Sequence, residues 1–151
     1  MEKVWISNGP EESEAIGRVI AALLPKNSIL LFYGEVGAGK TTLLKGVISA
    51  LTGTAPSEIT SPTFTYLQTY EGRSADGLAP TVHHFDLYRI ESKELFCALG
   101  FTDHLFSGKW CCIEWPEILF DDKASLIQRA HYKIELFHID ETRRKIVVTN
   151  G

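Results

Sequence analysis

Hydrophobic and polar residues alternate along the N-terminal part of the chain in patterns that predict a strand, a helix and a second strand. The first strand is predicted at residues 4–7, and the helix begins at Pro10 and ends before Pro25. Proline in the first turn and the acids Glu11 and Glu12 suit the positive end of a helix dipole. The apolar face of this helix is predicted to consist of Ile16, Val19, Ile20, Leu23 and Leu24.

Two uninterrupted apolar runs are typical of strands that are buried on both faces of a parallel sheet. They are SILLFY at residues 28–33 and WCCIE at residues 110–114. A helix is predicted between them at residues 41–51, and Gly53 ends it. Alternating polar and apolar residues predict further strands at residues 63–70, 82–88, 132–139 and 145–149.

The middle of the chain holds fewer regular patterns. Residues 71–80 contain two glycines and a proline and are predicted to form an exposed connection. A short helix is predicted at residues 92–99, with Ser92 as its N-cap and Gly100 after it. The order of elements favours one α/β domain over residues 1–151, with a mixed, mostly parallel sheet and a C-terminal antiparallel hairpin.

Composition and charge narrow the possible functions. Net charge is −4, with 15 basic and 19 acidic residues and no dense basic run. Because tight binding to a nucleic-acid backbone draws on Lys and Arg contacts, we do not expect strong binding of nucleic acid by this chain alone. No run approaches the ~20 apolar residues that span a bilayer, and no signal-peptide pattern is visible. Because neither segment is visible, and because an odd number of cysteines, two of them adjacent, makes no disulfide framework, we expect a cytoplasmic protein with no membrane partner.

The segment GEVGAGKT at residues 34–41 matches the phosphate-binding pattern G-x-x-x-x-G-K-[ST]. Glycines let backbone N–H groups approach phosphate oxygens, and the helix that follows directs its positive end at the same anion. Lys40 can reach the β- and γ-phosphates, and the hydroxyl of Thr41 can bind Mg²⁺. A buried strand before the motif and a helix after it support a three-layer P-loop NTPase-like fold. We therefore predict nucleotide binding by Glu35, Val36, Gly37, Ala38, Gly39, Lys40, Thr41 and Thr42.

A P-loop site also needs an acidic residue at the end of a neighbouring strand, which holds the metal directly or through water. Glu114 ends the apolar run WCCIE, and Asp86 lies within HFDLYR on another predicted strand. We assign Glu114 to the metal and Asp86 to the outer shell of the metal or to the orientation of water. The two roles could be exchanged.

A hydroxyl-rich segment, TSPTFT, follows the P-loop helix at residues 60–65. In nucleotide switches, a threonine of such a loop senses the γ-phosphate and Mg²⁺. On composition alone, an ordinary turn that a serine or threonine side chain stabilises is at least as well supported as a nucleotide switch.

Other polar residues are predicted to have mainly structural roles. His83 and His84 are adjacent, so on a strand they face opposite ways and cannot share a metal ion, and no zinc-site spacing is present. His84 is a candidate for orienting Asp86. Cys97 is predicted to pack in the interior. The arginines at residues 143–144 are predicted to form a solvated turn, with contact to the nucleotide or a partner as the alternative.

Four segments together resemble the bacterial TsaE family of small ATPases, which serve the tRNA threonylcarbamoyladenosine (t6A) pathway. They are GEVGAGKTT, SPTFT, HFDLYR and IEWPE, in this order. The first is common among P-loop proteins, the other three are specific, and the resemblance extends over nearly the whole chain. It implies binding and slow hydrolysis of ATP with Mg²⁺, in support of a TsaD–TsaB complex that modifies tRNA. It also implies that tRNA is contacted mainly through these partners.

The resemblance implies roles for individual residues as well. The phosphate-binding lysine of the family corresponds to Lys40, and its Mg²⁺ ligands correspond to Thr41 and Glu114. Asp86 and Trp115 correspond to further residues of the activity.

Two loops complete the site that the resemblance implies. Ser61, Pro62 and Thr63 correspond to a switch-like loop. The turn at Asn8 and Gly9 corresponds to an N-terminal loop that closes over the base.

Three other functions fit the phosphate loop alone. A small-molecule kinase needs an acceptor site and usually an arginine-bearing lid, for which the rest of the chain is short. A GTPase needs an N-K-x-D element to recognise guanine, and the sequence has none. A non-catalytic module that binds nucleotide only to dock a partner is weakly disfavoured by the two candidate carboxylates.

Overall fold

The computed structural model describes residues 1–72, 79–120 and 125–151. Within these ranges the strands are β1 Glu2–Ser7, β2 Ile29–Tyr33, β3 Leu67–Glu71, β4 Thr81–Asp86, β5 Trp110–Glu114, β6 His131–His138 and β7 Arg144–Asn150. The α-helices are α1 Pro10–Leu23, α2 Lys40–Thr52, α3 Lys93–Ala98 and α4 Thr102–Leu105. Short 3₁₀ helices lie at Pro56–Glu58 and Pro116–Leu119.

The seven described strands form one sheet in the order β1-β7-β6-β2-β5-β4-β3. The central strands β6, β2, β5 and β4 run parallel to one another, and the outer pairings β1-β7, β7-β6 and β4-β3 are antiparallel. The predicted α/β class, the mixed sheet and the terminal hairpin are therefore confirmed. In open α/β sheets, ligands bind outside the carboxyl ends of the parallel strands, and β2, β4 and β5 all end at one such edge.

Helices cover the sheet on both faces. On one face, α1 and α2 pack together over a core that includes Leu30 and Phe32 of β2. On the other face, α3 and α4 cover a second core that includes Ile29 and Leu31 of the same strand. Burial of alternate residues in two different cores explains why β2 is an uninterrupted apolar run.

The prediction of a strand over residues 63–70 is wrong in its first half. Strand β3 starts only at Leu67, because residues 63–66 form a turn in which the N–H of Tyr66 donates to the O of Pro62 at 2.8 Å. Tyr66 has a φ angle of 66°, a left-handed conformation that interrupts an extended strand.

Strand β4 is also shorter than predicted, since it ends at Asp86 and not at residue 88. The N–H of Tyr88 bonds to Oδ1 of Asp86 at 3.1 Å instead of to a neighbouring strand. The N–H of Leu87 still donates to the O of Glu114 at 3.1 Å, so the chain leaves the sheet after Leu87.

Three side chains that were predicted to be buried are exposed: Val19 and Leu23 of α1, and Cys97 of α3. On α1 the buried face includes the small residues Gly17 and Ala21 instead. A Cβ atom on Gly17 would collide with the backbone of α2, so the two helices need a small residue here to approach this closely. The predicted helix is therefore confirmed, but the face that packs against the protein is rotated from the predicted one.

Most of the predicted connection at residues 71–80 lies outside the described residues, which resume at Ala79. The N–H of Gly72 donates to the O of Pro80 at 2.9 Å across the ends of this segment. Among the helices of the described ranges, none combines the length and the apolar character needed to cross a bilayer.

Candidate nucleotide-binding site

The P-loop joins the end of β2 to the first residue of α2, as its sequence context requires. Gly37 and Gly39 have φ angles of 81° and 94°, in the left-handed region that favours glycine. The N–H of Ala38 donates to the O of Glu35 at 3.0 Å, and Ala38 itself is buried beneath the loop. A cleft of about 370 Å³ is lined by Glu35, Val36, Gly37, Gly39, Lys40, Thr41, Thr42, Ser61, Asp86, Glu114 and Trp115.

Lys40 lies inside this cleft, and only 6% of the residue is exposed. Its ammonium group lies 3.7 Å from the centre of the Trp115 ring and donates to the O of Gly34 and, at 3.4 Å, to the O of Glu35. Burial lowers the pKa of Lys40, while nearby carboxylates, Glu114 first, oppose that shift. Because no carboxylate of the described residues forms an ion pair with this cation, its charge is available to an anionic phosphate.

Two buried carboxylates face the P-loop from neighbouring parallel strands. Asp86 ends β4 and Glu114 ends β5, and the strand register pairs them directly. They are 6% and 3% exposed, respectively. The hydroxyl of Thr41 donates to Oε1 of Glu114 at 3.2 Å. The hydroxyl of Ser61 lies 2.6 Å from Oδ2 of Asp86 and 3.3 Å from Oε2 of Glu114, so it connects the two acids.

His84 is hydrogen-bonded to Glu114, whereas the sequence suggested that it orients Asp86. Its Nε2 lies 2.8 Å from Oε2 of Glu114, and the residue is 0% exposed. Alternation along β4 correctly places His84 and Asp86 on the same face of the strand. The register with β5, which the sequence does not show, brings Glu114 within hydrogen-bonding distance instead.

The residues of the predicted switch-like loop differ in their relation to the cleft. Ser61 lines the cleft, whereas Pro62 is buried and does not. The N–H of Thr63 donates to the O of Ser61 at 2.9 Å, which helps to form the turn. This loop is therefore connected to both carboxylates through one serine, and a role as a switch stays a prediction.

Trp115 closes the cleft beside Lys40. Its φ angle of 56° is uncommon for a bulky residue, and such conformations cluster at functional sites. The ring packs against Tyr88, with 4.9 Å between ring centres. The left-handed conformation of Trp115 ends β5 directly after Glu114 and places the indole ring next to Lys40.

A second cleft of about 220 Å³ adjoins the first, since Gly39 and Thr42 line both. Its other lining residues come from the start of α1 and from the β6–β7 hairpin: Asn8, Gly9, Pro10, Ser13, Glu141, Thr142 and Arg144. The predicted N-terminal turn thus lies beside the P-loop. Ser13, Glu141 and Thr142 were not predicted, because single polar residues on a helix and in a turn carry no motif.

The two arginines of the β6–β7 hairpin have different surroundings. Arg143 is exposed and its Nε lies 2.7 Å from Oδ2 of Asp140, and its hydrogen bonds lower the pKa of Asp140 to about 2. Arg144 extends to the P-loop, where its Nη2 donates to the O of Gly37 at 3.3 Å. Of the two interpretations of this pair, the solvated turn describes Arg143, whereas Arg144 lines the second cleft and its contact with a nucleotide or a partner stays a prediction.

The oxygen donors of the first cleft fit a Mg²⁺ ion. Mg²⁺ prefers oxygen ligands and is usually bound by one or two carboxylates together with substrate phosphates and water. The Thr41 hydroxyl and the Glu114 carboxylate lie in contact, with Asp86 beside them. The described residues contain no group of three His, Cys, Asp or Glu side chains that could hold a metal. A Mg²⁺ ion here would therefore need phosphate oxygens to complete its coordination.

Comparisons with known proteins indicate the family to which a chain with this site belongs. The family model described as "Threonylcarbamoyl adenosine biosynthesis protein TsaE" matches residues 7–146. The tRNA threonylcarbamoyladenosine biosynthesis protein TsaE of Rickettsia felis is 35% identical over 147 residues, covering 97% of this chain and 80% of the relative. That of Treponema pallidum is 37% identical over 112 residues, covering 74% and 77%. The crystal structure of YdiB from Bacillus subtilis matches with a TM-score of 0.71 and 25% identity, covering 99% of this chain and 86% of that one. The chain therefore belongs to the TsaE family of threonylcarbamoyl adenosine biosynthesis proteins.

Proposed function

We propose that this protein is a Mg²⁺-dependent ATPase whose activity supports the threonylcarbamoyladenosine modification of tRNA. Its family is that of threonylcarbamoyl adenosine biosynthesis. The ATPase proposal rests on one observation: the buried carboxylates Asp86 and Glu114 share a cleft with Lys40 and Thr41. A module that only held phosphate would need the loop and the lysine. It would not need two desolvated acids beside a Mg²⁺-binding hydroxyl.

The proposed reaction is attack of water on the γ-phosphate of ATP. The water oxygen bonds to phosphorus while the bond to the β–γ bridging oxygen breaks, which gives ADP and phosphate and releases a proton. Lys40 stabilises the negative charge of the transferring group. Asp86 orients the attacking water, and Thr41 and Glu114 would hold a Mg²⁺ ion, which would supply positive charge to neutralise the phosphates. The geometry also allows the reverse assignment, in which Asp86 binds Mg²⁺ and Glu114 orients the water.

The loop at residues 61–63 has a proposed role in sensing the nucleotide. Ser61 bonds to oxygens of both Asp86 and Glu114, the same acids that are assigned to the metal and to water. A bound Mg²⁺ ion would compete with the Ser61 hydroxyl for these oxygens, and the γ-phosphate would offer that hydroxyl another acceptor, so the position of the loop would depend on the bound nucleotide.

The proposed partners are TsaD and TsaB, with tRNA contacted through them. A net charge of −4 supports this division, because strong contact with a tRNA backbone draws on clustered Lys and Arg. The proposed location is the cytoplasm, where tRNA modification takes place.

Reconstitution tests this function. We expect the purified chain to hydrolyse ATP slowly with Mg²⁺ and not with EDTA, and to support t6A formation on tRNA when TsaD and TsaB are added. Phosphate release and the modified nucleoside would be measured in the same reaction. Nucleotide binding without any phosphate release, even with both partners present, would contradict the ATPase and indicate a docking module.

Replacing His84 with leucine is expected to slow ATP hydrolysis about tenfold, because Glu114 loses its hydrogen-bond donor. His84→Gln should keep most of the rate, since a glutamine amide can donate to the same oxygen. Phosphate release at saturating ATP checks this. His83→Leu is the matched control, because His83 bonds to Thr69 and not to Glu114. Equal losses in His84→Leu and His83→Leu would contradict the positioning role.

A further inference from the structure

The loop that carries Ser61 is fixed at both ends, and the inference drawn from it rests on the proposed Mg²⁺-dependent binding of ATP. At its start, the N–H of Thr60 donates to the hydroxyl of Tyr70 at 3.3 Å. At its end, the O of Tyr66 accepts from the N–H of Asp86 at 3.0 Å. Any movement of the loop is therefore confined to the residues between these two points, 61–65.

Two contacts hold the middle of this loop. The hydroxyl of Ser61 lies 2.6 Å from Oδ2 of Asp86 and 3.3 Å from Oε2 of Glu114. The ring of Phe64 has its centre 5.2 Å from the guanidinium carbon of Arg89. A guanidinium within about 6 Å of an aromatic ring centre is attracted by the negative face of the ring. The loop is thus attached to the two acids at one residue and to Arg89 at another.

Phe64 is the more mobile partner of this second contact. It is 81% exposed, so burial of its apolar surface contributes little to its position. Arg89 lies in a turn that is anchored by the buried side chains of Leu87 and Ile90, and the N–H of Ile90 donates to the O of Leu87 at 3.1 Å. Within the described part of the chain, no carboxylate forms an ion pair with Arg89. The ring of Phe64 therefore has an anchored cation as its partner.

We propose that Phe64 and Arg89 are positioning residues, which hold the hydroxyl of Ser61 on the two acids of the first cleft. Their contact joins the loop to the anchored turn that follows Asp86. A Mg²⁺ ion in this cleft would need carboxylate oxygens to which Ser61 is bonded. The contact between Phe64 and Arg89 therefore opposes the binding of Mg²⁺ and raises the Mg²⁺ concentration that the nucleotide complex requires.

The strength of this contact suits a restraint that Mg²⁺ can overcome. A cation–π contact at an exposed site changes an equilibrium only about threefold. Since each partner contributes to the same contact, loss of either one should release the loop to the same extent. The direction of the effect is specific: release of the loop should favour Mg²⁺-dependent binding, whereas general damage to the site would weaken it.

Isothermal titration of the full chain with a non-hydrolysable ATP analogue, in Mg²⁺ and in EDTA, tests this inference. We expect Phe64→Leu and Arg89→Gln each to bind the analogue about threefold more tightly than wild type in Mg²⁺. In EDTA their affinities should equal that of wild type, because no metal then competes with Ser61. The double variant should gain no more than either single variant, because both substitutions remove one contact.

Three further variants separate the contact from side-chain size and charge. Phe64→Tyr keeps a ring for the guanidinium and should bind like wild type in both conditions. Phe106→Leu and Arg18→Gln make the same substitutions at exposed residues that line neither cleft, and they should also leave binding unchanged.

The possible outcomes distinguish this inference from the proposed function. Unchanged or weaker binding of both single variants in Mg²⁺, an equal change in EDTA, or effects that multiply in the double variant would overturn this inference alone. A wild type that binds no analogue in either condition would overturn the proposed function, and this inference with it.

Discussion

Replacing Lys40 with alanine is expected to abolish measurable ATP hydrolysis and to weaken ATP binding by about a hundredfold or more. Lys40 lies in the first cleft and is almost fully buried, and its ammonium group donates to carbonyl oxygens of the P-loop and lies over the Trp115 ring. A charge in such a site acts on phosphate with little screening by solvent. Isothermal titration with a non-hydrolysable ATP analogue would measure binding, and phosphate release would measure turnover.

Lys45→Ala is the matched control, because it removes the same charge from the same helix outside the cleft. We expect it to bind and hydrolyse ATP like wild type. Circular dichroism would show whether Lys40→Ala keeps its fold. A folded Lys40→Ala variant that turned over ATP at the wild-type rate would rule out the assigned role of the P-loop lysine.

Glu114→Gln is expected to separate binding from turnover. Nucleotide affinity should stay within about threefold of wild type, because the P-loop and Lys40 are proposed to make most of the contacts with phosphate. Turnover should fall about a hundredfold or more, since the variant removes the charge that is proposed to hold Mg²⁺. Glutamine keeps the size of the side chain and can still accept from His84, so the effect reports on charge. The same titration and phosphate-release measurements test both parts.

Glu117→Gln is the control for Glu114→Gln. Glu117 is exposed, and its carboxylate is close enough to raise the pKa of Lys40, yet it does not line the first cleft. Its neutralisation should leave turnover nearly unchanged.

The turnover of Asp86→Asn, measured over a range of Mg²⁺ concentrations, would show which of the two acids binds the metal and which orients water. A strong shift in Mg²⁺ dependence with Asp86→Asn, and none with Glu114→Gln, would assign the metal to Asp86 and the attacking water to Glu114. Unchanged turnover in Glu114→Gln would exclude a direct role for that residue.

The features that could be predicted from the sequence have local causes. The run WCCIE forms β5 with the predicted ends, because unbroken apolar character is required of a strand with both faces buried. Ser92 caps α3 as expected, since its hydroxyl accepts from the N–H of Leu95 at 3.1 Å. The turn at residues 63–66 could not be predicted in this way. Its threonines and aromatics favour strands, and only the bonds formed in the folded protein select the left-handed Tyr66.

Taken alone, the sequence determined the α/β class, the phosphate loop and the identity of the two acids, because each depends on residues that are close together along the chain. The tertiary structure decided how these parts meet. The parallel register of β4 and β5 sets Asp86 opposite Glu114 and brings His84 to Glu114. The order of the strands sets the terminal hairpin beside the turn at Asn8 and so forms the second cleft. Register and strand order arise from contacts between distant segments, and no pattern within a single segment specifies them.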